Sequence, residues 1–398
     1  MLVLTARYPY PVVGGDRLRI YYMCRELAKD YDLTLLSLCE TRAEASMTVP
    51  EDGVFQRVER IVLPRWRSLI NAAIALPSQT PMQVAYYRSR DFAERLNTLL
   101  PEHDACLAHL IRMGNYVQTK SEYVRVLEMT DAISLNYSRV KALGQPQSLK
   151  ALVYMIEADR LLRYERTTLD HFDIVSLISQ ADRDFLLSGA HHPAVHICSN
   201  GVDLSKMPIR HRTPVRPVIV FIGNMLTIQN LDACDYFIRD ILPLIRPRLD
   251  VTFRIVGRIS QEQSKRLKQE PSVEVTGEVP NVADAVDDAW IGVCPMRLGA
   301  GVQNKVLEYM ALALPAIVSQ VGAEGLDAIN DESLLVASHP QDWANQIIKL
   351  WAEPTKASAL AKAGRTYVEQ HHDWNNCFSG LRQAITSQIN LRAESPQS

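Results

Sequence analysis

Short apolar runs alternating with helical stretches are the feature that most narrows the folds open to this chain, because the alternation occurs twice with a break between. Strand-like runs fall at 1–5, 32–38, 60–64, 105–110, 123–129, 173–179 and 194–200, then again at 218–224, 251–257, 273–277, 290–296, near the end of 294–319 and at 334–337. Such runs suit strands buried on both faces, and the helical stretches between them supply the covers and crossovers that parallel pairing needs. The break, MPIRHRTPVRP at 207–217, carries three prolines and no apolar period, so it reads as a linker. The expected class is α/β: two doubly wound, Rossmann-like domains facing across a cleft, over 1–206 and 218–375. A last helix at 376–391 is expected to return to the first domain. A length of 398 residues also favours two domains over one core.

Composition excludes more than it selects. Lys and Arg number 43 against 45 Asp and Glu, which indicates no nucleic-acid partner. Over residues 1–212 the balance is 26 basic to 24 acidic, so the first half is the one suited to anionic lipid. Seven cysteines, an odd number with no CxxC spacing, point to reduced core thiols in a cytoplasmic protein. No charged leader and no 18-residue apolar span is present, so the expectation is a protein neither secreted nor membrane-spanning. From Arg57 to Arg95, arginines are interleaved with Trp66, Leu69, Ile70, Ile74, Tyr86, Tyr87 and Phe92. Two readings stay open: a peripheral contact with the inner membrane through the N-terminal domain, or, more plainly, Arg-bearing helices packing their apolar faces on the sheet.

The stretch with most chemistry is Cys294 to Ser319, CPMRLGAGVQNKVLEYMALALPAIVS. Gly299 and Gly301 let backbone approach a ligand, and a helix starting near Val302 aims free N–H groups and its positive dipole end at that turn, which suits phosphate. Arg297 and Lys305 add positive charge, and Glu308 is placed to accept hydrogen bonds from a ribose diol. The alternative is an ordinary i,i+3 pair of Lys305 and Glu308 beside a plain strand-to-helix turn. In the first half, Gly14-Gly15-Asp16 follows the first strand, with Asp16 expected to cap the next helix. The fingerprint GxGxxG is missing there, against a nicotinamide dehydrogenase. His109 ends one strand and Asp131 follows the next. His109 is either a satisfied core histidine or a catalytic one, and Asp131 either a helix N-cap or an acceptor-binding carboxylate. No HExxH, DxD-like pair or Cys/His cluster suggests a metal, and none is expected.

Together these residues resemble a family. GNMLTIQNLDA, VTGEVPNV, PMRLGAGVQNKVLEYMALALPAIVS and GAEGL in the second half, with SNGVD at 199–203, YPYPVVGGDRLR near the start and HDWNNCFSGL at 372–381, resemble the family 4 retaining glycosyltransferases of the GT-B fold. The bacterial exopolysaccharide and lipopolysaccharide sugar transferases are the nearest type. The resemblance implies a nucleotide-diphosphate sugar as donor and a polysaccharide or lipid-linked oligosaccharide as acceptor, with no cofactor. It assigns Glu308 to the ribose, the backbone of Gly299, Ala300, Gly301 and Val302 to the sugar and diphosphate, and Arg297 and Lys305 to the phosphates. Gly223 and Asn224 would form the facing loop, Gly14 and Gly15 would close over the diphosphate from the first domain, and His109 or Asp131 would serve the acceptor. Two positions depart from the family: Ala300 stands where many members carry a first Glu, and Asn224 and Asn230 stand where many carry Arg and Lys. An epimerase of the same fold and a non-catalytic partner in a polysaccharide assembly complex are the competing readings.

Overall fold

A computed structural model describes residues 1–12, 14–117, 122–142, 149–210, 216–299 and 301–394. The chain divides into two compact units, Met1–Ser199 with Cys377–Ser398, and Asn200–Asn376.

The first unit carries a seven-stranded sheet of β1 (Leu2–Thr5), β2 (Thr34–Cys39), β3 (Arg57–Val62), β4 (Ala105–His109), β5 (Val124–Thr130), β6 (Ile174–Leu177) and β7 (Val195–Ile197), in the order β3-β2-β1-β4-β5-β6-β7. The second carries β8 (Val218–Ile222), β9 (Thr252–Val256), β10 (Val273–Gly277), β11 (Ile291–Cys294), β12 (Ala316–Val318) and β13 (Leu335–Val336), in the order β10-β9-β8-β11-β12-β13. Every pairing in both sheets is parallel. The central strands β1 and β8 are wholly buried, so their apolar runs face helices on both sides. Each run expected to be a strand is one, with its ends moved by a few residues.

Both sheets start in the middle, wind outward to one edge, and then jump back to the other side of the first strand. That reversal lies between β1 and β4 and again between β8 and β11. Loops leaving neighbouring strands at such a point run in opposite directions, which opens a crevice at the C-terminal ends. The sheet order therefore singles out two sets of loops.

Several details differ from expectation. The residues before and into the expected linker run with the second unit: Val202 bridges to Asp373, and the Met207 carbonyl accepts from Arg365 at 2.7 Å. Residues 211–215 lie outside the described residues. The helix after β8 runs Ile228–Tyr236, widens to a π turn at Phe237–Ile241 and resumes at Leu242–Ile245. The widened turn accommodates Pro243, which has no N–H to give the preceding turn. The last helix, Ser379–Glu394, belongs to the first unit, where Arg382 meets Glu26 and Asp30, both at 3.2 Å, and Arg392 meets Asp173 at 2.8 Å. No disulfide joins any of the seven cysteines, and six of them are buried. Among the described residues no helix is long and apolar enough to cross a membrane. The Arg57–Arg95 segment divides between its two readings: Tyr87 and Phe92 pack into the core as the plainer reading has it, whereas the helix Arg65–Ile74 buries Ser68 and Ala72 and leaves its large apolar residues outside.

Candidate functional site

At the reversal point of the second unit, β8 runs into Gly223, whose N–H donates to the Val256 carbonyl at 2.9 Å. Gly257 has φ +129°, and a Cβ on it would lie 2.0 Å from the Gly223 carbonyl oxygen, so the loops after β8 and β9 touch backbone to backbone only because residue 257 is glycine. The Asn224 side chain accepts from Leu226 N–H at 3.1 Å, and its carbonyl accepts from Asn230 Nδ2 at 3.0 Å. These two asparagines therefore fold the loop upon itself.

β11 leads through Met296 and Arg297 to the glycine turn. Gly299 at φ +147° and Gly301 at φ +66° occupy backbone regions that side chains resist; Ala300 lies outside the described residues. Val302 is buried, and the helix begins later than expected, as Asn304–Ala311. Its N-cap, Gln303, makes no side-chain capping bond, so the helix start keeps donors open. Asn304 Oδ1 accepts from Asn200 Nδ2 at 2.8 Å, which ties the SNGVD segment to the first helical residue.

Lys305 is 9% exposed. Its ammonium lies 5.3 Å from the centre of the Phe221 ring and 3.4 Å from Gln303 Oε1, with no carboxylate at ion-pair distance among the described residues. Glu308, half-buried one turn on, has no hydrogen-bond partner among the described residues. Burial raises its carboxyl to about 7, with Lys305 opposing that rise. The pair is therefore no ordinary i,i+3 surface bridge: each group is partly desolvated and neither is satisfied by the other, an arrangement that folding alone does not reward. Arg297, by contrast, is already engaged, with Nε donating to Asp232 Oδ2 at 3.1 Å and the guanidinium lying 4.7 Å from the Tyr236 ring centre. A phosphate would have to compete for it.

Two residues the sequence reading passed over hold this region together. The Tyr309 hydroxyl accepts from Ile222 N–H at 2.9 Å and donates to the Val293 carbonyl at 3.1 Å. Ser319 Oγ donates to the Met296 carbonyl at 2.6 Å and accepts from Gly322 N–H at 3.0 Å, fixing the chain just before Arg297.

In the first unit, Gly14 at φ +97° precedes the helix Gly15–Leu27 and serves as its N-cap. Asp16, expected as that cap, lies instead in the first turn, 3.7 Å from Arg7. A recess at the reversal of β1 and β4 is lined by Arg7, Asp16, Arg17, His109 and Leu110. Leu110 has φ +69°, a costly conformation for a branched side chain, and it follows His109 directly.

His109 is 3% exposed, and its Nδ1 lies 2.6 Å from Glu128 Oε2. Burial alone would raise the Glu128 carboxyl, but Arg19 and then His109 outweigh it and hold the group at about 2. Arg19 is itself 1% exposed; its Nε donates to Glu128 Oε1 at 2.7 Å and its Nη2 to the Cys198 carbonyl at 2.8 Å. An ionised Glu128 accepts from His109 Nδ1–H and so fixes the ring, leaving Nε2 as the ring nitrogen outside this pair. The histidine is thus both satisfied and oriented, and the two readings of it are compatible.

Asp131 is not the N-cap that one of its two readings made it. The N–H groups at the start of the helix Ile133–Ala142 go to other carboxylates: Ala132 N–H donates to Asp182 at 3.0 Å and Ser134 N–H to Glu165 at 3.3 Å. Asp131 accepts from Asn136 Nδ2 at 3.2 Å, and burial, then the nearby Asp182 charge, raise its carboxyl to about 7. It does not line the recess that holds His109. Among the described residues no group of three or more His, Cys, Asp or Glu is placed to hold a metal ion.

Comparison with known proteins points the same way. Residues 216–353 match the model of the family described as glycosyl transferases group 1. A protein described as an uncharacterized 44.6 kDa protein in the cps region of Klebsiella pneumoniae is 24% identical over 173 residues, covering 41% of this chain and 44% of that one, so the match spans less than half of that relative. Sucrose-phosphate synthase from Thermosynechococcus elongatus superposes with a TM-score of 0.72 at 15% identity, over 98% of this chain and 99% of the other. HepE of Anabaena, solved in complex with UDP, superposes at 0.66 with 13% identity, over 97% and 99%. At such identities the likeness establishes the fold, two parallel-sheet α/β domains of the GT-B glycosyltransferase type, and the matched glycosyl transferases group 1 region lies in the unit that carries Lys305 and Glu308.

Proposed function

We propose that this chain is a cytoplasmic, retaining glycosyltransferase of the family 4 kind, moving a hexose-type sugar from a nucleotide-diphosphate sugar to a polysaccharide or lipid-linked glycan. The observation that carries this reading is the unpaired Glu308 carboxyl one turn beyond the buried Lys305, at the start of a helix with no side-chain cap. An ionised Glu308 accepts hydrogen bonds from the two ribose hydroxyls, while Lys305 and the open N–H groups meet the diphosphate. Charge developing on the departing phosphate is then met by fixed donors, each good donor contributing a few kcal/mol.

With retention, the acceptor hydroxyl attacks the anomeric carbon on the face the phosphate leaves. The bond from that carbon to the phosphate oxygen breaks, the bond to the acceptor oxygen forms, and a phosphate oxygen takes the acceptor's proton. The backbone at Gly299 and Gly301 serves the sugar in place of the first family Glu, and His109, oriented by Glu128, serves the acceptor.

The match to a glycosyl transferases group 1 model and the UDP held by HepE support this reading. Thermal melts of the full chain in UDP, GDP and ADP test it. One nucleotide should raise the melting temperature, and Glu308→Gln should remove the rise; three unchanged melts would overturn the reading. Turnover of the donor sugar without any acceptor would favour an epimerase instead.

A further inference from the structure

The helix Arg65–Ile74 presents its faces in an unusual sense. Its buried positions are small, Ser68 and Ala72, with Ala75 buried just beyond. Its large apolar side chains, Trp66, Leu69, Ile70 and Ile74, recur at helical spacing and are 62%, 63%, 50% and 70% exposed, and Leu76 adds another at 53%. An amphipathic helix serving only the fold would turn these toward the sheet. Here small residues let the helix lie close to the body while the large ones point away. Single exposed apolar residues need no explanation, but five within eleven residues form a patch.

The segment that bears the patch is itself basic, with carboxylates reaching it only from outside. Residues 65–90 contain four arginines and no acidic residue. Arg65 and Arg67 are 76% and 51% exposed, and the carboxylates they approach, Glu40 at 3.3 Å and Asp91 at 3.8 Å, lie outside the segment. Asn71 Nδ2 donates to the Arg88 carbonyl at 2.9 Å, which brings Arg88 to the middle of the helix. Trp66, between the first two arginines, combines a large apolar ring with an N–H, a side chain suited to the boundary of water and hydrocarbon.

We propose that this helix docks the protein on an anionic phospholipid bilayer, lying in the plane of the surface. Trp66, Leu69, Ile70, Ile74 and Leu76 enter the boundary between headgroups and acyl chains, and Arg65, Arg67 and Arg88 meet lipid phosphates. Ten residues of helix reach about 15 Å, too short to span a bilayer but enough to lie on one. A second copy of the chain is the poorer occupant, because a two-fold contact through this face would set its arginines against one another. A lipid surface offers further phosphates to arginines whose own carboxylate partners are solvent-exposed or distant. This inference is independent of the donor chemistry above.

Co-sedimentation of the full chain with vesicles tests it, comparing pure phosphatidylcholine with about 30% phosphatidylglycerol at low and high salt. Binding should require the anionic lipid and weaken with salt. Ile70→Ser/Ile74→Ser and Arg65→Gln/Arg67→Gln should each weaken it by about tenfold or more. Both double variants change exposed side chains, so both should keep the wild-type melting temperature and any rise that a nucleotide gives. Equal binding of the variants and wild type, or no binding to anionic vesicles, would sink the proposal. So would a concentration-dependent dimer that falls apart in Ile70→Ser/Ile74→Ser while vesicles go unbound, which would assign the face to a second copy.

Discussion

Tyr309 rests on Gly292 so closely that a Cβ at position 292 would lie 2.3 Å from the Tyr309 Cγ. That contact lets the hydroxyl reach the ends of two strands. β8 and β11 are in register at Ile219–Ile291 and Val220–Gly292. Past that point the phenol bridges the Ile222 N–H and the Val293 carbonyl. A reversal point opens a crevice only if the backbone groups it separates are satisfied in some other way, and here one side chain satisfies both. It comes from the same helix that carries Lys305 and Glu308, so that helix is pinned where the strands part.

Removing the hydroxyl should therefore be costly although the volume barely changes. Tyr309→Phe leaves a buried N–H and a buried carbonyl unpaired and should lower stability by about 2–3 kcal/mol in a urea titration. Gly292→Ala should cost about 1–3 kcal/mol by overpacking, and because it pushes the helix it should also shrink any nucleotide-induced rise in melting temperature. A Tyr309→Phe protein within about 0.5 kcal/mol of wild type would show that the bridge contributes little.

Arg19, Glu128 and His109 form a buried group whose members depend on one another. Arg19→Met leaves the Glu128 carboxylate without its guanidinium and should destabilise by about 3–5 kcal/mol, part of which Arg19→Met/Glu128→Gln should recover. The acid limb gives a second readout. The Glu128 carboxyl sits at about 2 in the folded protein, below the unfolded value of about 4.3. Its contribution is therefore complete above the unfolded value and is lost as pH falls from there toward 2. Glu128→Gln should flatten that limb. An acid limb as steep as wild type in Glu128→Gln would remove Glu128 from this role.

The fold was legible because its signal is repetitive: apolar runs such as VIVFI at β8 and ACLAH at β4 can be buried only as central strands. What stayed hidden was every pairing made across the sequence. Arg19 looks like a surface residue of an ordinary helix, and only its place on the buried face with Ile20, Met23 and Leu27 reveals it. Glu128, inside the strand sequence VRVLEMT, was a clearer signal, since a carboxylate flanked by Leu127 and Met129 needs a cation. Of the two readings of Asp131 only the N-cap fails, because capping rules consider neighbours in sequence, while Asp182 and Glu165 arrive from elsewhere to take the N–H groups at that helix start. In the stretch 294–319 the glycine turn and the one-turn spacing of Lys305 and Glu308 were legible from the sequence. The engagement of Arg297 by Asp232 was not, for the two are 65 positions apart.

Glu308 makes the most pointed prediction, because its effect on folding and its effect on binding have opposite signs. In the free protein burial holds its carboxyl at about 7, above the unfolded value of about 4.3. A raised folded value means that the native state binds more protons between those two points. The group's contribution to stability is complete below the unfolded value and is lost as pH rises toward 7. The proposed ribose contact would run the other way, since the two hydroxyls need an ionised acceptor, so a nucleotide held there would have to draw the proton off. Its affinity should rise with pH through the region near 7 and level off above it. Isothermal titration with UDP from pH 6 to pH 8 reads this directly, and the proton released on binding appears as a dependence of the heat on buffer. Glu308→Gln should bind weakly with no such slope, while losing the fall in stability that wild type shows as pH rises to 7. If wild type binds UDP equally well across that range without releasing a proton, Glu308 does not hold the ribose as a carboxylate.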